Sequence, residues 1–245
     1  MENAGYIALS RQVTLRRELD IAANNIANAD TAGFKVEQLL VQTEEGPKSR
    51  NEGIRGPGRF VLDNGVGRDF RAGTLGQTGR ALDFAIEGDG FFQVGGENGE
   101  RYTRDGRFTL DAQGRLVTAA GLPVLGEGGQ EILLDPTKPE ISVSADGIIT
   151  QGGEWVGKIG VVRFAALGVL SKDGDGLYVN PSNERPEAAT DAKVRQGMVE
   201  ESNVEPIVEI TNLIEITRAY ERMAKIVEQT NDLSRRSVER LGRVS

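Results

Sequence analysis

Few side chains here could do covalent chemistry, because the 245-residue chain has no cysteine and no histidine. Ser-His-Asp triads, thiol nucleophiles, haem ligation and the common zinc sites are excluded on that ground. Carboxylates remain. Glu87 and Asp89 flank a glycine in EGDG, and a hydrolytic pair would need a cleft that buries one of them so that their pKa values separate. An exposed turn does the opposite, so both read as solvated loop charges. The DGDG run at 173–176 starts like a calcium loop but lacks the third ligand position and the closing glutamate, and it reads as a hairpin turn. Gly88, Gly90, Gly95 and Gly96 complete no GxGxxG spacing and no helix follows them, so a nucleotide site has no support. The expectation is no catalytic, cofactor-binding or metal-binding residue, and no cofactor.

A different chemistry stands out in NNIANADTAGFK at 24–35, where asparagines crowd the end of an apolar helical stripe. Asn28 and Asp30 can end a helix, Gly33 can take the left-handed conformation after it, and Phe34 can fold back as an anchor. Asn24 and Asn28, at i and i+4, share a face from which amides can bond to neighbouring helices and fix their register. The first reading is local punctuation of a helix end; the second serves assembly.

The elements that must carry these residues are legible from periodicity. Leu15, Leu19, Ala22 and Ile26 recur at helical spacing, with Ala8 two heptads before Ala22. At the other end Leu213, Ile216, Tyr220, Met223 and Val227 form one stripe, with Ile207, Ile210 and Ile214 beside it. This second helix should run from about 204 to 241. Ser202 and Asn203 are N-cap candidates, Pro206 suits the first turn, and Glu200, Glu201, Glu205 and Glu209 sit at the positive end of the dipole. Arg235, Arg236, Arg240 and Arg243 occupy the opposite end. Such a wide apolar face asks for further helices to cover it.

Between the helices the period changes to two at Leu82, Phe84 and Ile86. Turn signals then follow at Asp105-Gly106, Gln113-Gly114, Ala120-Gly121, Gly126 to Gly129, Asp146-Gly147, Gly152-Gly153 and Asp173-Gly174, the rhythm of a β-meander or sandwich. The 32 glycines, about twice average usage, fall mostly in this region. Residues 42–80 read as a connector without fixed structure, apart from a short strand at Arg59 to Leu62. The expected fold class is α+β: N- and C-terminal helices pairing into a coiled-coil or bundle domain, with a central, mainly antiparallel β-rich domain. The expected divisions are a helix over 1–34, an extended connector over 35–75, the β domain over 76–196 and the second helical segment over 197–245.

A net charge of −8 argues against affinity built on phosphate neutralisation, so no nucleic acid is expected. The longest apolar run, 159–170, is broken by Arg163 and too short to span a bilayer. Glu2 stands where a Sec-type signal wants Lys or Arg, so any export should use another route.

NNIANADTAGFK near one end, EESNVEPIVEITNLIEITRAYE at 200–221 near the other, and GQTGRALDFAIEGDGFFQV and RYTRDGRFTLDAQGRLVTAAGLPVLG between them carry a resemblance that covers the whole chain. In these segments the chain resembles the flagellar rod, hook and hook-associated axial proteins of bacteria, and its opening is most similar to proximal-rod members. The resemblance implies a structural subunit whose terminal helices line a hollow rod, with the β domain outside. It also implies export without cleavage through the flagellar export apparatus, residence in the basal body, and other rod proteins and neighbouring copies as partners. Asn24, Asn25, Ile26, Asn28, Gly33 and Phe34 match at the first end, and Asn203, Pro206, Arg218 and Tyr220 at the second. With Leu15, Leu19, Ile210, Leu213, Ile216, Met223 and Val227 from the apolar stripes, they make the expected assembly interface. The alternatives are a distal-rod or hook-type axial subunit, a β-rich wall hydrolase and an adhesin.

Overall fold

The computed structural model of the chain describes residues 2–48, 57–96, 99–138, 140–182 and 184–242. It falls into two compact units, one made of residues 1–27, 37–69 and 204–245 and the other of residues 28–36 and 70–203. The class is α+β, with a helix at each end and antiparallel strands between.

The first unit holds helix α1 (Glu2–Ala27), strands β1 (Glu37–Lys48) and β2 (Pro57–Arg68), and helix α2 (Pro206–Gly242). Helix α1 stops at Ala27 and does not continue to residue 34. Asn28 accepts the Thr31 N–H on its carbonyl (3.1 Å) and the Thr31 hydroxyl on its side chain (3.2 Å), so a turn replaces the next helical turn. Strands β1 and β2 pair antiparallel across the stretch read from sequence as a connector. Register shifts between Leu39 and Val41 and between Glu45 and Lys48 break the period-two pattern that would have revealed them. The expected strand at Arg59 to Leu62 lies within β2. Helix α2 begins at Pro206, whose missing N–H costs nothing in a first turn. Of its basic end, Arg235 and Arg236 are exposed, while Arg243 and the side chain of Arg240 lie outside the described residues.

In the second unit the chain runs β3 (Leu75–Gln77), β4 (Phe84–Glu87), β5 (Phe91–Gly96), β6 (Gly99–Thr103), β7 (Thr109–Leu110) and β8 (Leu116–Val117). It continues through β9 (Ile141–Val143), β10 (Ile148–Gln151), β11 (Glu154–Lys158) and β12 (Val161–Arg163). It closes with β13 (Ser171–Lys172), β14 (Leu177–Val179), β15 (Glu187–Ala188), β16 (Lys193–Gln196) and β17 (Met198–Glu200). A six-stranded sheet has the order β13-β14-β6-β5-β12-β15 and a three-stranded one the order β11-β10-β9, while β16 pairs with β4 and β17 with β3. The meander expected from turn spacing is thus real only locally, in β9 to β11. The larger sheet interleaves distant segments, which turn signals do not encode.

The pleat of β5 explains why FFQV reads as uniformly apolar. Phe92 and Val94 enter a core with Phe84, Phe108 and Ile149, while Phe91 joins Tyr102, Phe164 and Tyr178 in a separate aromatic cluster. Sheet strands covered on both faces lose the alternating pattern. Phe92 meets Phe108 edge-on at 5.3 Å and Tyr102 meets Phe164 at 4.8 Å, the favoured aromatic geometry. The expected turns form: Gly114 N–H bonds to Asp111 carbonyl, Gly121 to Thr118, Gly129 to Gly126 and Gly147 to Ser144. The Asp105-Gly106 turn admits no side chain at its glycine, since a Cβ there would lie 1.6 Å from the Phe84 carbonyl oxygen.

Tyr102 gives the β unit an alkaline signature. Burial, and then the Glu100 carboxylate 3.2 Å away, push its hydroxyl up to about 12. The folded state therefore holds this proton more tightly than the unfolded chain. The associated stability is complete below the ordinary value near 10 and disappears as pH rises through 12. Thermal unfolding followed from pH 9 to 12 should show a decline that Tyr102→Phe flattens; a titration of the Tyr102 hydroxyl itself near pH 10 in the folded protein would contradict it.

Candidate assembly surfaces

In the first unit, α1 and α2 pack along each other. Asn25 bonds to Glu209 (3.1 Å), whereas Gln12 lines a shallow cavity with Val227, Glu228 and Asn231, so the helices run antiparallel. Ala8, Leu15 and Ala22, two heptad steps, are buried, Leu19 and Ile26 are half-buried, and so are Leu213, Ile216, Tyr220, Met223 and Val227. The second α2 stripe faces outward: Ile207 is 81% exposed, and Ile210 and Ile214 are nearly half exposed. On α1, Tyr6, Leu9 and Val13 are exposed as well.

The bridging amide is Asn25, next to the positions singled out by spacing. Its side chain accepts the Glu37 N–H (2.9 Å) and donates to the Glu37 carbonyl (2.8 Å), imitating a strand partner for the first residue of β1. The same nitrogen reaches Glu209 on α2. This fully satisfied, 1% exposed group ties three elements of the unit. Asn24 is exposed and Asn28 serves the turn, while Pro206 and Arg218 are exposed.

Tyr220 is half-buried in the single chain, so Tyr220→Ala should cost about 2 kcal/mol in the isolated first unit. Its effect on assembly should exceed its effect on stability, and Tyr220→Phe should be close to neutral in both. Swimming assays beside thermal melts check this, and normal assembly of the alanine variant would place Tyr220 outside the interface.

The second unit contains a buried ionic clamp formed where residues 28–36, 70–78 and 196–203 converge. Gly33 has φ +68°, and a Cβ there would come within 2.5 Å of the Arg104 carbonyl carbon, so only glycine fits. Its N–H bonds to the Glu200 carbonyl (2.7 Å). Phe34 is buried, with the Lys172 ammonium 4.7 Å from its ring centre. The Lys35 ammonium donates to Glu200 Oε1 (2.5 Å) and to the Arg71 carbonyl (2.6 Å). Glu200 Oε1 also accepts the Gly73 N–H (2.9 Å), and Oε2 accepts Arg104 Nη1 (3.0 Å). Arg104 further donates to the Ile86 and Gly88 carbonyls and lies over the Phe91 ring. Asn203, expected as a helix cap, accepts the Val36 N–H (2.8 Å) and donates to the Arg71 carbonyl.

Lys35 and Arg104 were not singled out by patterning, and Glu200, read there as a charge at the dipole of α2, is instead buried at the end of β17, although each lies in a segment that carried the family resemblance. Their signal is local: a charge following the apolar Gly-Phe pair, and a glutamate at the buried phase of β17. Both oxygens of Glu200 are occupied, Glu87 pairs with Arg195 at the surface (2.6 Å), and Asp173 pairs with Arg101 in the β13–β14 turn.

Three family models match the chain: Flagella basal body rod protein over residues 6–35, Flagellar hook protein FlgE/F/G D1 domain over 85–151, and Flagellar basal body rod FlgEFG protein C-terminal over 195–240. The flagellar basal-body rod protein FlgF of Caulobacter vibrioides is 54% identical over 245 residues, covering all of both chains. The chain belongs to the flagellar basal-body rod protein family. Within this rod family, FlgF of Mesorhizobium japonicum is 35% identical over 99% of both chains. FlgG of Bacillus subtilis is 31% identical, over 93% of this chain and 95% of its own. The rod-protein match at 6–35 spans most of α1, its terminating turn and Lys35, and the C-terminal match spans Glu200 and most of α2. Among the described residues, no helix is long and apolar enough to cross a membrane.

Proposed function

We propose that this chain is a structural, non-enzymatic subunit of the bacterial flagellar basal-body rod, of the proximal FlgF type. Full-length similarity to proteins named FlgF carries the reading. The FlgG relatives are more distant, which favours the proximal over the distal rod. In this reading α1 and α2 join the helices of neighbouring subunits in a coiled-coil layer. The outward isoleucines of α2 and the exposed Tyr6, Leu9 and Val13 of α1 supply apolar surface for it. Of the expected interface residues, those on α1 and α2 belong to this layer, while Asn28, Gly33, Phe34 and Asn203 lie in the second unit. The partners are other rod proteins and neighbouring copies, reached through the flagellar export apparatus without a cleaved signal.

Deleting the gene should abolish swimming and leave basal bodies without a complete rod, with both restored by the intact chain. Normal rods in the deletion strain, seen by electron microscopy of isolated basal bodies, would overturn the assignment.

A further inference from the structure

We infer that residues 28–36 form a strap that opens and closes on the β unit as a separate step, with Lys35 as its bolt. The inference stands on the second unit alone and does not depend on the rod assignment. Three observations carry it. First, residues 34–36 lie in no strand, and the strap is held by a few discrete bonds and not by a ladder. The Gly33 N–H meets the Glu200 carbonyl, the Val36 N–H meets the Asn203 side chain, and the Asn203 N–H meets the Phe34 carbonyl. Such segments open with less free energy than the sheets they lie on.

Second, the receiving site survives the departure of the strap. Glu200 keeps Arg104 on one oxygen and the Gly73 N–H on the other when Lys35 leaves. Opening therefore strands no buried anion, whereas closing places two cations, Lys35 and Arg104, around one carboxylate. Third, Arg104 is anchored independently of the strap by the Ile86 and Gly88 carbonyls and the Phe91 ring. The site is prebuilt by the β unit, and the strap adds the buried side chains of Ala32, Phe34 and Lys35 to it.

Hydrogen exchange on the full-length chain tests this with two variants. Lys35→Met removes the bolt while leaving the Arg104–Glu200 pair intact, and Gly33→Ala forces the strap off without touching a charge. In each, the Gly33-position, Val36 and Asn203 amides should exchange about tenfold faster or more, while those of β5 and β6 keep wild-type protection. Unchanged exchange at the three strap amides would overturn the inference. So would an equal rise in β5 and β6, which would make the strap part of one cooperative unit.

Discussion

Glu200→Ala should lower the stability of the β unit by about 3–5 kcal/mol, the usual cost of removing one partner from a buried ionic group. The side chain is fully buried and both oxygens are engaged, by Lys35, the Gly73 N–H and Arg104. Alanine would leave two buried cations facing each other without an anion, and the Gly73 N–H without this acceptor. In a unit of this size the loss amounts to a fall in melting temperature of about 10 °C. Lys35→Met should cost far less, because Arg104 still neutralises the carboxylate. The order of the two effects is the sharper test: chemical denaturation that finds Lys35→Met as damaging as Glu200→Ala would show that Glu200 is not the hub.

Much of the scaffold could be read beforehand because it rests on local rules. Heptad spacing located Ala8, Leu15 and Ala22 on the buried side of α1, and glycine-bearing turns located most hairpins of the β unit. Reading failed where the decisive partner is distant in sequence. Lys35 and Glu200 are 165 residues apart and Arg104 is 96 from Glu200, so no window shows that these charges meet. The β1–β2 hairpin was missed for another reason. Its bulges shift the register, and Leu40 and Val41 are half exposed, so neither face carries a continuous apolar row. Spacing picks out Asn24 and Asn28, and Asn25 enters only through the family resemblance, because spacing identifies a shared face and not which amide meets a backbone.

Removing residues 204–245 should abolish swimming while leaving the thermal transition of the β unit within about 2 °C of the intact chain. The two buried clusters of that unit draw on residues between 84 and 194, so the truncation takes nothing from its core. The loss falls on the first unit. There α1 would forfeit the half-buried row from Leu213 to Val227 and the Glu209 partner of Asn25. What remains packs α1 against β1 and β2 alone, and most helical stability in proteins comes from packing of the amphipathic face. Limited proteolysis of the truncated chain should therefore digest α1 and stop near residue 28, where Gly33, Phe34 and Lys35 are held by the β unit. Cleavage running through residues 28–36 at the same rate would show that the strap does not stay closed on the β unit. A truncated chain that still restores swimming would remove α2 from the assembling surface and leave its exposed isoleucines without a role.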